Sequence, residues 1–199
     1  MKVSHQDLFP TRIWSAHCEQ LLSHHPAWLS RLNALREASP MPAGRSNRGG
    51  WNSDVKLFQE PDFAPLRATV TELVKHAMTQ CGQKGSWQVS MAGWANMHDS
   101  GGYNTLHMHP GHLLSGVYYL KVPPKAGNIV FRDPKYAAIM TGISGDKPFS
   151  RNFESVQPQE GQMLLFPSWL EHRVEENHSD ETRVSIAFNV KVLGLKVDD

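Results

Sequence analysis

Three histidines fall within six positions in "NTLHMHPGHLLSGVYYL", residues 104–120, and a stretch rich in strand-forming residues follows at once. His107 and His109 are separated by one residue, so on an extended segment both imidazoles project to the same face. Two neutral imidazoles placed together can bind a borderline ion such as iron or zinc. An H-x-H pair alone is a weak signal. A third histidine, His172 in "FPSWLEHRV", strengthens it, because burying an imidazole in a largely apolar strand is costly unless the ring is bonded or ligated. A core histidine hydrogen-bonded to a backbone carbonyl is the competing explanation for His172.

The strand "TRVSIAFNV" adds a second chemistry. Val184, Ile186, Phe188 and Val190 share one face and form a packing surface, while Arg183, Ser185, Ala187 and Asn189 share the other. A guanidinium and a hydroxyl two residues apart can jointly hold a carboxylate, the guanidinium in a two-point grip. A solvent-facing arginine on an edge strand is the plainer alternative.

The elements that must position these residues can be sketched from periodicity. Ser15 is expected to cap a helical segment interrupted by Pro26, after which Trp28, Leu29, Leu32 and Leu35 recur at helical spacing. The polar stretch "SPMPAGRSNRGGWNSD" connects to a second helix near 62–80, with Phe63, Leu66, Val70, Leu73, Val74 and Ala77 on one face and His76 opposite them. From about residue 87 the chain turns to strands: "SWQVSMAGWANM", "LLSGVYYLKV", "GNIVFRD", "GQMLLFP", "WLEHRVEE" and "TRVSIAFNVKV", separated by Gly, Pro, Asn and Asp turns. So many short strands are best protected in a closed or double-sheet barrel with the helices packed outside. A polar stretch at about 132–157 lacks periodicity and is expected to be a loop of functional length.

Composition narrows the partners. The 199 residues fit a single domain, with a helical part over about 1–86 and a β core over about 87–192. Twenty Lys and Arg balance 19 Asp and Glu, so no net field favours nucleic acid or an anionic membrane. No run of about 18 apolar residues occurs and the N-terminus lacks an apolar export signal, so the expected location is the cytoplasm. Cys18 and Cys81 are too few and too isolated for a disulfide framework or a thiolate zinc site.

Taken together, "HMHPGHLLSGVYYL", "FPSWLEHRV" and "RVSIAFN" resemble the iron(II)- and 2-oxoglutarate-dependent dioxygenases of the double-stranded β-helix, or jelly-roll, fold, and within them a bacterial group of unassigned substrate. "LFPTRIW" and "RSNRGGWNS" also look like that group, extending the resemblance over most of the chain. The resemblance implies Fe(II) on His107, His109 and His172, with the distal carboxylate of 2-oxoglutarate on Arg183 and Ser185. It further implies a cosubstrate-contacting amide at Asn96, on the strand before, 11 residues ahead of His107. The implied reaction consumes dioxygen, decarboxylates 2-oxoglutarate to succinate and hydroxylates a small-molecule or peptide substrate.

One departure stands out. Most of this superfamily uses H-x-D or H-x-E, whereas the middle ligand position here reads His109. Neither His178 with Asp180, which has no later histidine to complete it, nor His17 with Glu19, in a predicted helix where residues two apart do not share a face, supplies the missing carboxylate. Three imidazoles leave Fe(II) its full double charge, which a dianionic cosubstrate can neutralise. A three-histidine, cupin-like dioxygenase without 2-oxoglutarate, a three-histidine zinc enzyme and a non-catalytic barrel stay open at this point, although the zinc reading gives Arg183 and Ser185 no task. Tyr103, Asn104, Tyr119 and His112 are candidate substrate or supporting contacts, and Phe166 and Trp169 candidate wall or core residues. Arg45, Arg48, Arg132 and Lys135 fit either a substrate pocket or a solvated surface.

Overall fold

The computed structural model describes residues 1–40, 46–53, 56–84, 87–142 and 145–194. Nine strands form one continuous curled sheet: β1 (Trp14–His17), β2 (Asn47–Asn52), β3 (Gln88–His107), β4 (Leu114–Lys121), β5 (Ile129–Arg132), β6 (Phe153–Val156), β7 (Gln162–Pro167), β8 (His172–Val174) and β9 (Arg183–Leu193). The order is β1-β7-β4-β9-β3-β8-β5-β6, with β2 paired to β3, and every pairing is antiparallel. The helices are α1 (His25–Ala38), α2 (Ala64–Gln80) and α3 (Tyr136–Thr141).

The alternation along β9 decides where the helices go. Val184, Ile186, Phe188 and Val190 are buried in one cluster with Trp28 and Leu32 of α1 and Leu66, Val70, Val74 and Ala77 of α2. Each fully buried aliphatic or aromatic side chain contributes about 1.5–3 kcal/mol, so this outer face anchors the helical layer. Residues opposite one another in an antiparallel ladder share a face. The inner face therefore collects Asn96 and Tyr119 opposite Ser185, and His98 opposite Arg183. Val117, Tyr119, Ile129, Phe131, Leu164, Phe166 and Leu170 form a second, smaller apolar cluster.

β3 is the element that joins the two halves of the curled sheet. Its first half pairs with β9 from Gln88 to His98, and its second half pairs with β8, with Asn104 opposite Val174 and His107 opposite His172. The change of partner occurs at Gly101 and Gly102. Gly101 has φ +82°, a conformation that side chains rarely adopt, and a Cβ on Gly102 would stand 3.0 Å from the His98 Cβ.

Several expectations are corrected. Ser15 caps no helix but lies in β1, opposite Leu164, and Pro26 starts α1 rather than interrupting it, in the first turn where its missing N–H costs nothing. The connector before α2 contains β2, whose partners on β3 lie some fifty residues away. The 132–157 stretch is not one loop, since it holds α3 and the edge strand β6, paired to β5 from Ile129–Val156 to Arg132–Phe153. Asn96 and His107 belong to one bent strand rather than two. Arg45 lies outside the described residues. Among the described residues no helix is long and apolar enough to cross a membrane.

Candidate metal and anion site

The cross-strand register brings the first two imidazoles together. His107 ends β3 directly opposite His172, which opens β8, and their ring centroids are 4.4 Å apart. His109 follows β3, its backbone N–H donating to the Ser168 carbonyl at 2.9 Å, and its ring lies 5.0 Å from His107 and 5.2 Å from His172. One nitrogen from each ring falls within 4.8 Å of those of the other two. His109 Nε2 and His172 Nε2 are 3.4 Å apart. Two nitrogens at right angles around one ion, each ~2.1 Å from it, would stand about 3 Å apart, so the spacing fits a shared centre after a small adjustment.

Two of the three rings are oriented by the chain itself. His107 Nδ1–H donates to the Thr105 carbonyl at 2.7 Å and His172 Nδ1–H to the Leu170 carbonyl at 2.9 Å. In a neutral imidazole this leaves a lone pair on Nε2, the form a metal requires. Burial pushes His107 below the ordinary histidine value, and burial with the neighbouring imidazoles takes His172 down to about 3, so both stay neutral donors at physiological pH. Phe166 and Phe131 pack against the His172 ring, and Trp94 against His109.

Arg183 lines the same cavity, of about 1030 Å³, as the three histidines. It is 1% exposed. Its Nη1 donates to the Ala126 and Glu175 carbonyls and its Nη2 to His98 Nδ1 at 3.0 Å. No carboxylate pairs with it among the described residues, and burial pulls it down to about 10, still cationic at neutral pH. Glu60, a carboxylate on the cavity wall, is already bonded to Arg31 at 3.0 Å. A buried, unpaired guanidinium is costly, on the order of several kcal/mol, and an anion in the cavity would offset that cost. Ser185 lies on the same inner face, two residues along β9, and both line the cavity.

Asn96 also lines the cavity, but its amide is engaged by the neighbouring strand: Asn52 Nδ2 donates to Asn96 Oδ1, and Asn47 Nδ2 donates to Asn52 Oδ1 at 2.7 Å. This row of amides on β2 was not expected. Nor was His98, although it continues the alternation Trp94, Asn96, His98 along β3, the signal that would have found it. Tyr119, Asn104 and His112 also line the cavity, and His112 Nδ1 is buried without a hydrogen-bond partner among the described residues. Trp169 is 53% exposed and forms neither wall nor core, because it sits in the turn between β7 and β8, whereas Phe166 is buried.

The arrangement places a three-nitrogen cluster and a buried guanidinium in one cavity of a double-stranded β-helix. Residues 92–189 match the family described as "Putative 2OG-Fe(II) oxygenase", and this segment, which carries all three histidines, Arg183 and Ser185, belongs to it. The match covers just under half of the chain, and it is this segment that is similar to the Fe(II)- and 2-oxoglutarate-dependent oxygenases. Similar solved structures include a prolyl-4-hydroxylase from Pseudomonas putida (TM-score 0.63, 16% identity, covering 91% of this chain and 92% of that one). A prolyl hydroxylase from Trichoplax adhaerens in complex with a hypoxia-inducible-factor peptide fragment aligns with TM-score 0.62 and 14% identity over 90% of this chain and 83% of that one. HygX from Streptomyces hygroscopicus, with nickel, 2-oxoglutarate and hygromycin B bound, gives 0.61 and 14% over 91% and 83%. At these identities the likeness is one of fold. No curated protein sequence matches the chain.

Proposed function

We propose that the protein is a hydroxylase of a small-molecule or peptide substrate, acting in the cytoplasm, with His107, His109 and His172 holding Fe(II) and Arg183 and Ser185 holding the distal carboxylate of 2-oxoglutarate. The observation that carries this reading is the buried Arg183, without a carboxylate partner among the described residues, in the same cavity as the three imidazoles. A zinc hydrolase or a three-histidine oxygenase that takes no 2-oxo acid leaves that cation without a task.

When bound, the iron and 2-oxoglutarate supply the oxidising chemistry, in which dioxygen and 2-oxoglutarate are converted with the substrate C–H to succinate, carbon dioxide and the alcohol. The chain's own part is placement. The Thr105 and Leu170 carbonyls keep Nδ1–H of His107 and His172 occupied, so that only Nε2 is offered to the ion. Arg183 attracts and aligns the dianion, and its charge counts for more in this cavity than in water because it is desolvated. The apolar flank of Val117, Ile129 and Phe166 keeps water from the reacting region. With no carboxylate among the ligands, the end of the cosubstrate at the ion would supply its one negative partner, the distal carboxylate meeting Arg183. Asn96, bonded to Asn52, faces the cavity as an amide for cosubstrate or substrate. Neighbours of this fold are described with a peptide fragment or with hygromycin B, and the cavity volume accommodates a ligand of drug-like size beside the cosubstrate.

The test is anaerobic addition of Fe(II) and 2-oxoglutarate, with the visible metal-to-ligand charge-transfer band of the chelate as the readout. The band is expected in the wild type, strongly weakened by Arg183→Ala and retained by His112→Ala. Equal losses in the two variants, or no band in the wild type, would reject the assignment.

A further inference from the structure

His98 is buried at 1% exposure, lines the cavity and stands directly opposite Arg183 in the β3–β9 ladder. It is the sole side chain among the described residues that hydrogen-bonds the Arg183 guanidinium, the other two acceptors being the Ala126 and Glu175 carbonyls. Resting on the oxygenase reading above, we propose that His98 is a positioning residue for Arg183, a neutral acceptor that fixes the guanidinium while leaving its whole charge to the cosubstrate carboxylate.

The choice of acceptor is what makes this informative. A buried arginine is most strongly held by a carboxylate, through two charge-assisted hydrogen bonds. Such a partner would also cancel the charge that an incoming anion must meet. An imidazole whose Nδ1 accepts from Arg183 carries its proton on Nε2 and is uncharged. Burial, and next the Arg183 charge, push His98 down to about 3, so the ring stays neutral throughout the physiological range. Two main-chain carbonyls and one neutral ring thus bind Nη1 and Nη2 and add no formal negative charge. Nε–H has no partner among the described residues and remains available to a ligand.

The far side of the ring lies beside β2, where His98 stands opposite Gly50. Among the described residues His98 Nε2 is buried with no hydrogen-bond partner, and so is the oxygen of Asn47 on β2. Gly50 separates the two. A Cβ there would lie 2.7 Å from Asn47 Oδ1 and 2.7 Å from His98 Cδ2, so this glycine is what lets the amide oxygen and the Nε2 edge of the ring approach each other. Asn47 Nδ2 is committed to the Trp51 carbonyl and Asn52 Oδ1.

The proposal is tested by anaerobic calorimetric titration of the Fe(II)-loaded wild type, His98→Asn and His98→Asp with 2-oxoglutarate, with metal affinity as the folding control. Asn keeps a neutral acceptor near Nδ1, and its affinity is expected within about threefold of wild type. Asp introduces the charge the site avoids, and its affinity is expected to fall on the order of 100-fold, since hydrogen bonds to charged groups are worth ~1.5–3 kcal/mol. Equal affinities in all three proteins, or equal losses in both variants, would overturn the proposal while leaving the oxygenase reading standing. A wild type that binds iron but no 2-oxoglutarate would overturn both. Should either variant fail to fold, ¹⁵N spectra of histidine-labelled wild type decide the matter. They should show one imidazole locked as the neutral Nε2–H tautomer between about pH 5.5 and 8, and an Nδ1–H form or a titrating ring at His98 would overturn the proposal.

Discussion

At the histidine end of the cavity the rings of His107 and His172 are each held by a carbonyl two residues back in their own segment, whereas at the arginine end one side chain is held by three separate stretches of chain. The histidine end is uncharged and offers lone pairs. The arginine end is charged and offers protons. Local restraint suffices where a side chain needs only the right tautomer. A buried cation needs acceptors gathered from β3, from the loop after β4 and from the segment after β8, because no single element can solvate it.

That contrast can be broken at either end. The largest effect is expected from His172→Ala, which removes the most buried ligand. The metal-linked gain in unfolding free energy, about 2.7 kcal/mol at an ion concentration a hundredfold above Kd, should vanish in urea titrations with and without Fe(II). Arg183→Met should abolish detectable 2-oxoglutarate binding in calorimetry yet leave metal affinity unchanged. It should also raise the ligand-free unfolding free energy by about 1–4 kcal/mol, the usual result of replacing a buried charge by a fitting apolar group. A loss of ligand-free stability in that variant would mean that the guanidinium is already compensated.

The pH response sharpens the comparison, because His98 and His172 are both lowered from the ordinary histidine value to about 3. Below about pH 6.5 the unfolded chain takes up protons that the folded chain refuses, so stability is fully present above that pH and is lost steadily as pH falls toward 3. Urea midpoints between pH 7 and 4 should follow this slope, and His98→Asn should flatten part of it. A smaller effect is expected from Gly50→Ala. Crowding the His98 ring should weaken 2-oxoglutarate affinity by about tenfold, within the ~1–3 kcal/mol typical of overpacking, with metal affinity unaltered. Smallest of all, His112→Ala should change metal affinity by less than about twofold, since its ring is outside the three-nitrogen cluster.

The same contrast explains what could be read from residue order alone. Alternation along β9 separated the packing residues Val184, Ile186, Phe188 and Val190 from Arg183 and Ser185, because a strand's two faces follow from its period. The strands from β3 to β9 were visible in the same way, apart from the short edge strand β6. β1 and β2 were not. "WSAH" and "NRGGWN" carry no strand-like hydrophobic pattern of their own and are extended because β7 and β3 complete their hydrogen bonds. His98 went unremarked for a related reason: its role depends on facing Arg183, 85 residues later in the chain. The continuation of β3 past Met97 was hidden by "DSGG", which reads as a turn and is instead the bend of a single strand.

That bend has a consequence for which molecules can be held. His98, which hydrogen-bonds the guanidinium, and His107, in the three-histidine cluster, are joined by nine peptide links of the same ribbon, locked at one end to β9 and at the other to β8. The spacing between the guanidinium and the three imidazoles is therefore set in part by one continuous stretch of chain. If the proposed site holds, diacids one methylene shorter or longer than 2-oxoglutarate should bind it less well.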